Sequence, residues 1–124
     1  MYDVGIDPRS VAQEVEEFIR NQVEALERDG IIVGVSGGID SAVSVTLAVR
    51  AVGPEAVLGL LLPERDSSPR SSEDGRLLMD HLGAPYEEID LTPSLKELGI
   101  YQKAPIRLLV NRRIKAEAVR ATLK

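Results

Sequence analysis

Ile31-Ile32-Val33-Gly34-Val35-Ser36-Gly37-Gly38-Ile39-Asp40-Ser41 is the stretch that decides the fold. Ile31 to Val35 is an apolar, β-branched run with no polar alternation, the pattern of a strand buried on both faces. Ser41 to Val52 is apolar nearly all round at helical length, and Gly53-Pro54 stops it. Between strand and helix lies a Gly-rich turn bearing hydroxyls. Gly37 and Gly38 lack a Cβ, so the backbone can turn sharply and approach a ligand closely. The N–H groups of the turn and the first helical turn have no intrahelical partner, and the helix dipole favours negative charge there. Ser36 and Ser41 add hydroxyl donors. Asp40 would repel a bare polyphosphate but suits one that arrives with Mg²⁺, which takes one or two carboxylates plus phosphate oxygens. The turn reads as a seat for a magnesium-bound nucleotide.

Spacing excludes the commoner phosphate loops. A Walker A loop needs a lysine after its last glycine, and none lies near. Gly34, Gly37 and Gly38 miss the Gly-x-Gly-x-x-Gly spacing of dinucleotide folds. A turn serving only as a tight helix entry has no need of three small residues plus an aspartate. SGGIDS instead resembles the PP-loop of the N-type ATP pyrophosphatases, Ser-Gly-Gly-x-Asp-Ser.

The flanks supply the architecture. Asp7-Pro8 opens a helix with a capping oxygen and a proline at the first position. Its apolar stripe is Val11, Val15, Phe18, Ile19, Val23 and Leu26, and Asp29-Gly30 ends it. Ala56 to Leu62 is a second buried strand, followed by a polar loop at Glu64 to Pro69. Ser71 to Leu82 reads as a helix with Leu77, Leu78 and Leu82 inward, Tyr86 to Asp90 as a third strand, and Thr92 to Gln102 as loop with one helical turn. Ala104 to Leu123 reads as a last helix, with a basic solvated face opposite Ile106, Leu109, Val110, Ile114 and Val119. Strands separated by such helices imply a parallel sheet with right-handed crossovers. The expected class is α/β: a three-layer parallel sheet of three visible strands with helices on both faces, in one domain, 1–124. Ligands of such sheets bind at the carboxyl ends of the strands, where SGGIDS, Pro63 to Pro69 and Asp90 all fall.

Composition sets outer bounds. The 124 residues are 44% hydrophobic and 28% charged, ordinary for a globular domain, and with 3% aromatic residues the core must be aliphatic. Twenty acidic against fifteen basic residues give a net charge of −5, which argues against broad nucleic-acid or anionic-membrane binding. No apolar run approaches the roughly 20 residues of a membrane span, and the N-terminus lacks a signal-peptide pattern. A cytoplasmic location is the expectation. The absence of cysteine excludes a disulfide framework, a thiolate zinc site and persulfide chemistry on this chain.

With these segments in hand the chain resembles an ammonia- or glutamine-dependent NAD synthase. The resemblance rests on Gly34 to Ser41, on Leu62-Pro63-Glu64-Arg65-Asp66-Ser67-Ser68 and on Ile89-Asp90, and runs from about Asp7 to about Gln102. It implies an adenine nucleotide alpha hydrolase-like (PP-loop) fold. It also implies ATP-dependent amidation of deamido-NAD by ammonia through an adenylylated intermediate, with release of pyrophosphate and AMP. Carried over residue by residue, Ser36, Gly37, Gly38 and Ser41 would donate to the pyrophosphate of ATP. Asp40 would ligate Mg²⁺, and the backbone near Leu62 with Arg65 would hold the adenosine. Members of the family continue well beyond this length. The fold is therefore expected to be incomplete at its C-terminus, with the second metal-ligating carboxylate and most of the deamido-NAD site elsewhere. The strand Ile31 to Val35 would then lie at an open edge, so either a homodimer or a second polypeptide completes the sheet, or the chain is a fragment or truncated homologue. An ATP/Mg-binding module or fragment without turnover, and another PP-loop amidating enzyme of the GMP synthetase-like kind, are the alternatives.

Several residues carry a plainer reading beside the functional one. Arg65 is either a nucleotide contact or a solvated arginine, and Asp90 either a site residue or a cap. His81 is expected to be structural or at the surface. Arg107, Arg112 and Arg113 are expected to belong to the solvated face of the last helix, not to a phosphate grip.

Overall fold

The structure, a computed structural model, describes residues 5–102. The expected last helix and its basic residues lie outside them. Three strands, β1 (Ile31–Gly34), β2 (Val57–Leu61) and β3 (Tyr86–Glu88), form a parallel sheet in the order β1-β2-β3. The register pairs Ile31 with Val57 and Gly34 with Leu60, then Gly59 with Tyr86 and Leu61 with Glu88. Helix α1 (Pro8–Ala25) precedes the sheet, α2 (Ile39–Val52) joins β1 to β2, and α3 (Pro69–Leu82) joins β2 to β3. Asp7 caps α1 by accepting from Arg9 N–H, with Pro8 at the first position, as the sequence predicts.

The described residues fall into two compact units. One holds 5–62 and 68–89, and so contains the whole sheet with α1, α2 and α3; the other holds 63–67 and 90–102. In the second, α4 (Thr92–Glu97) and a 3₁₀ turn at Ile100–Gln102 occupy the span expected to be mostly loop.

The core of the first unit is aliphatic, as the scarcity of aromatics requires. Leu61, Met79, Val45 and Val57 are its largest fully buried side chains, each stabilising the fold by roughly 1.5–3 kcal/mol on burial. Val57 and Leu61 lie on one face of β2, and α2 (Val45, Ala48) and α3 (Met79) both pack against them. With sequential strand order, right-handed crossovers put both helices on one face. The opposite face, where the second helical layer of a three-layer fold belongs, carries Ile32, Leu58 and Leu60. There the strand expected to be buried on both faces is not: Ile32 is 67% exposed, because among the described residues β1 is an edge strand and only its α2 side is covered.

Two helix faces also differ from the apolar stripes. In α3, Leu77 is 70% exposed while Gly75 and Met79 are buried. The helix packs through its glycine: a Cβ at Gly75 would lie 3.0 Å from Leu61 Cδ2, and one at Gly59 of β2 would lie 2.8 Å from Met79 Cε. Two small residues let helix and strand approach, and that choice rotates Leu77 outward. In α1, Val15, Ile19 and Val23 are half-buried, whereas Val11, Phe18 and Leu26 stay exposed. β3 ends at Glu88, two residues before the expected Asp90.

Candidate functional site

Ser36 to Ser41 bridges β1 and α2 at the carboxyl edge of the sheet. Val35 N–H still donates to Leu60 O at 2.8 Å, so the loop leaves the sheet beside β2. Gly37 adopts φ +79°, a conformation that L side chains rarely take, and a Cβ there would lie 2.4 Å from Ser71 O. The loop is thus braced against the first turn of α3. Its hydroxyls hold one another: Ser36 Oγ and Ser41 Oγ are 3.0 Å apart, Ser41 Oγ accepts from Ser36 N–H at 3.1 Å, and Ser36 Oγ accepts from Gly38 N–H at 3.3 Å. Ser41 Oγ also donates to Gly38 O at 3.2 Å.

Gly38 is the N-cap of α2, and no side chain caps that end; the first intrahelical bond runs from Ala42 N–H to Gly38 O. Ser68 at the N-cap of α3 also makes no side-chain cap bond. Two helix starts with uncapped N–H groups therefore adjoin through Gly37 and Ser71. Asp40 sits in the first turn of α2, exposed, and its carboxylate has no hydrogen-bond partner among the described residues. Among the described residues no cluster of three or more His, Cys, Asp or Glu side chains can hold a metal ion. The donor set for Mg²⁺ here is one free carboxylate beside hydroxyls and amides. That fits an ion whose other ligands are phosphate oxygens and water.

Leu62 follows β2 at the same sheet edge, half-exposed, so the structure brings Ser36, Gly37, Gly38, Asp40, Ser41 and Leu62 to one side of the first unit. Arg65 belongs to the second unit. Its Nε and Nη2 donate to the two carboxylate oxygens of Asp66 at 3.3 and 2.9 Å, and its guanidinium lies 3.9 Å from the ring centroid of Tyr101. The hydrogen bond to Asp66 raises the Arg65 pKa. Tyr101 donates its hydroxyl to Glu64 Oε2; loss of water around the phenol, then that bond, push its pKa up. Sequence reasoning passed over Tyr101. Its partner lies 37 residues earlier, and only the rarity of aromatics in this chain could have drawn attention to it.

Asp90 makes a local turn bond: its Oδ1 accepts from Thr92 N–H at 2.8 Å, one residue ahead of the Leu91 N-cap of α4. The Thr92 side chain, then its N–H, hold the Asp90 carboxyl below the usual carboxylate range. His81 is exposed in the last turn of α3, in keeping with a surface role. No helix among the described residues is long and apolar enough to cross a membrane.

Comparison with known proteins accords with this architecture. An NH(3)-dependent NAD(+) synthetase of Coprothermobacter proteolyticus is 44% identical over 108 residues, covering 87% of this chain and 36% of that protein. The NH3-dependent NAD synthetase of Campylobacter jejuni, solved with a nitrate ion, superposes with a TM-score of 0.70 at 32% identity. That match covers 80% of this chain and 42% of the other. An NMN synthetase from Francisella tularensis gives a TM-score of 0.72 at 25% identity, over 78% and 40%. The chain thus spans about a third of the length of the curated relatives it matches. The NAD synthase family model matches residues 11–123, so the likeness continues past Gln102, where the resemblance read from the sequence ends. With its parallel sheet and its SGGIDS loop at the strand edge, this chain belongs to the NAD synthase family.

Proposed function

We propose that the chain provides the MgATP seat of an enzyme that amidates deamido-NAD to NAD. The single observation that carries this reading is the SGGIDS loop: two uncapped helix starts, mutually held hydroxyls and one free carboxylate at the ligand-binding edge of a parallel sheet. The amides and hydroxyls of Ser36, Gly37, Gly38 and Ser41 take the pyrophosphate of ATP, Asp40 takes the magnesium ion, and Leu62 with Arg65 takes the adenosine. The nicotinate carboxylate attacks the α-phosphorus, the bond to pyrophosphate breaks, and ammonia then displaces AMP with loss of a proton. The loop's part is positioning and stabilisation of charge on the leaving pyrophosphate. Bound Mg²⁺ neutralises charge on those phosphate oxygens. We read residues 1–124 as belonging to one PP-loop domain.

The test is calorimetry of the chain with MgATP, followed by an assay for AMP and pyrophosphate with deamido-NAD and ammonia. Binding is expected, and Asp40→Ala is expected to abolish it while leaving the thermal midpoint in place. A chain that binds no MgATP overturns the reading. Likeness to an NMN synthetase favours one second reading, in which the amidated substrate is the mononucleotide. Supplying deamido-NAD and its mononucleotide counterpart side by side, and identifying the product, separates the two.

A further inference from the structure

The loop Pro63–Ser67 is short, polar and unusually well tied. Glu64 N–H donates to Ser67 Oγ at 2.9 Å and Ser67 N–H returns to Glu64 O at 2.9 Å. Glu64 Oε1 accepts from Asp66 N–H at 2.9 Å, and Pro63 O accepts from Leu91 N–H at 2.8 Å. Onto this frame Tyr101 adds two contacts of different chemistry, the ring against Arg65 and the hydroxyl to Glu64. Three tyrosines and one phenylalanine are all the aromatics the chain has, and none of the largest fully buried side chains is among them. Tyr101 is half-buried and lies against a cation, so its ring does work that an aliphatic residue could not. An arginine on a surface loop ordinarily samples many rotamers, and a ligand that needs one of them must offset that freedom. Here the Asp66 fork fixes the guanidinium in its plane and the Tyr101 ring fixes the face.

We propose that Tyr101 is a positioning residue for the nucleotide: it presents Arg65, and the loop that carries it, in the binding geometry before ATP arrives. The proposal rests on the nucleotide-seat reading above and adds a residue to it. Tyr101 touches no substrate; it acts through Arg65.

Two measurements on the full chain test it. In the free protein, proton NMR is expected to find the Arg65 side-chain methylenes shifted upfield by the ring current. The shift should persist in Tyr101→Phe and vanish in Tyr101→Leu. Calorimetry with MgATP is expected to show binding weakened about tenfold in Tyr101→Leu, largely restored in Tyr101→Phe, and weakened no further when Tyr101→Leu is added to Arg65→Ala. A residue that merely supports the fold would give additive losses in the double variant. Additive losses, an unchanged affinity in Tyr101→Leu, or no upfield shift in the parent each overturn the proposal. If the parent binds no MgATP, the nucleotide reading has failed and the positioning role falls with it. An upfield Arg65 in that case shows that the failure lies in the ligand and not in the stack.

Discussion

Gly37 and Gly38 are adjacent and look interchangeable in the sequence, yet the structure asks different things of them. Gly37 has φ +79°, and its missing Cβ leaves room for the backbone of Ser71, whose Cα, C and O would all lie within 2.9 Å of it. Gly38 has an ordinary extended backbone at φ −92°, and a Cβ there would meet only Ser36 Oγ at 3.4 Å. Gly37→Ala is therefore expected to destabilise the chain by roughly 2 kcal/mol or more, left-handed strain plus displacement of the α3 start, and to abolish MgATP binding. Gly38→Ala should cost under about 1 kcal/mol. Denaturant unfolding of the two variants compares them directly, and equal losses would show that the brace against Ser71 carries no weight. The pattern of small residues marked the turn. Which glycine is indispensable depends on a helix thirty-four positions further along, which no local spacing encodes.

Helix α4 shows how a charged residue at a strand end can be consumed locally. Asp90 follows β3 where ligands of parallel sheets gather, but its carboxylate is turned to Thr92 N–H. Its pKa is lowered, by the Thr92 side chain first and the N–H second. The sign follows: a depressed folded-state pKa gives a contribution fully present above the unfolded value, about 3.9, and lost as pH falls through the folded one. Carboxyl-carbon NMR is expected to place the Asp90 midpoint below that of an unstructured aspartate. Thr92→Val should move it part of the way back, since the N–H remains. A normal midpoint in the parent would remove the Asp90–Thr92 bond. Other elements were legible for the same kind of reason. Asp7-Pro8 and Gly53-Pro54 announced helix ends because capping and φ restriction are properties of the residues themselves. The inward face of α3 was legible in part: Leu78 and Leu82 pack against the core as their spacing says, but the stripe weights Leu77 above Gly75, while close packing on Leu61 selects the glycine. Half the α1 stripe stays exposed because amphipathic spacing states that a face is apolar without stating what meets it.

Among the described residues, the sequential order β1-β2-β3 leaves β1 at an edge, with one row of its N–H and C=O groups facing away from β2. Ile32 projects from that edge at 67% exposure, on the face that also holds Leu58 and Leu60. An apolar edge strand of this kind templates pairing with another chain, so the protein is expected to self-associate with rising concentration in sedimentation velocity. Two opposite charges at Ile32 separate a local cause from a global one. Ile32→Lys moves the net charge from −5 to −4, and Ile32→Glu moves it from −5 to −6. General charge repulsion would let the glutamate suppress association and the lysine promote it. Blocking of the edge requires both to suppress it, because either charge would have to be desolvated when a second strand docks. Both variants should keep the thermal midpoint close to that of the parent, since Ile32 lies outside the buried core. Opposite responses of the two variants would assign the association to overall charge and clear the β1 edge of any part in it.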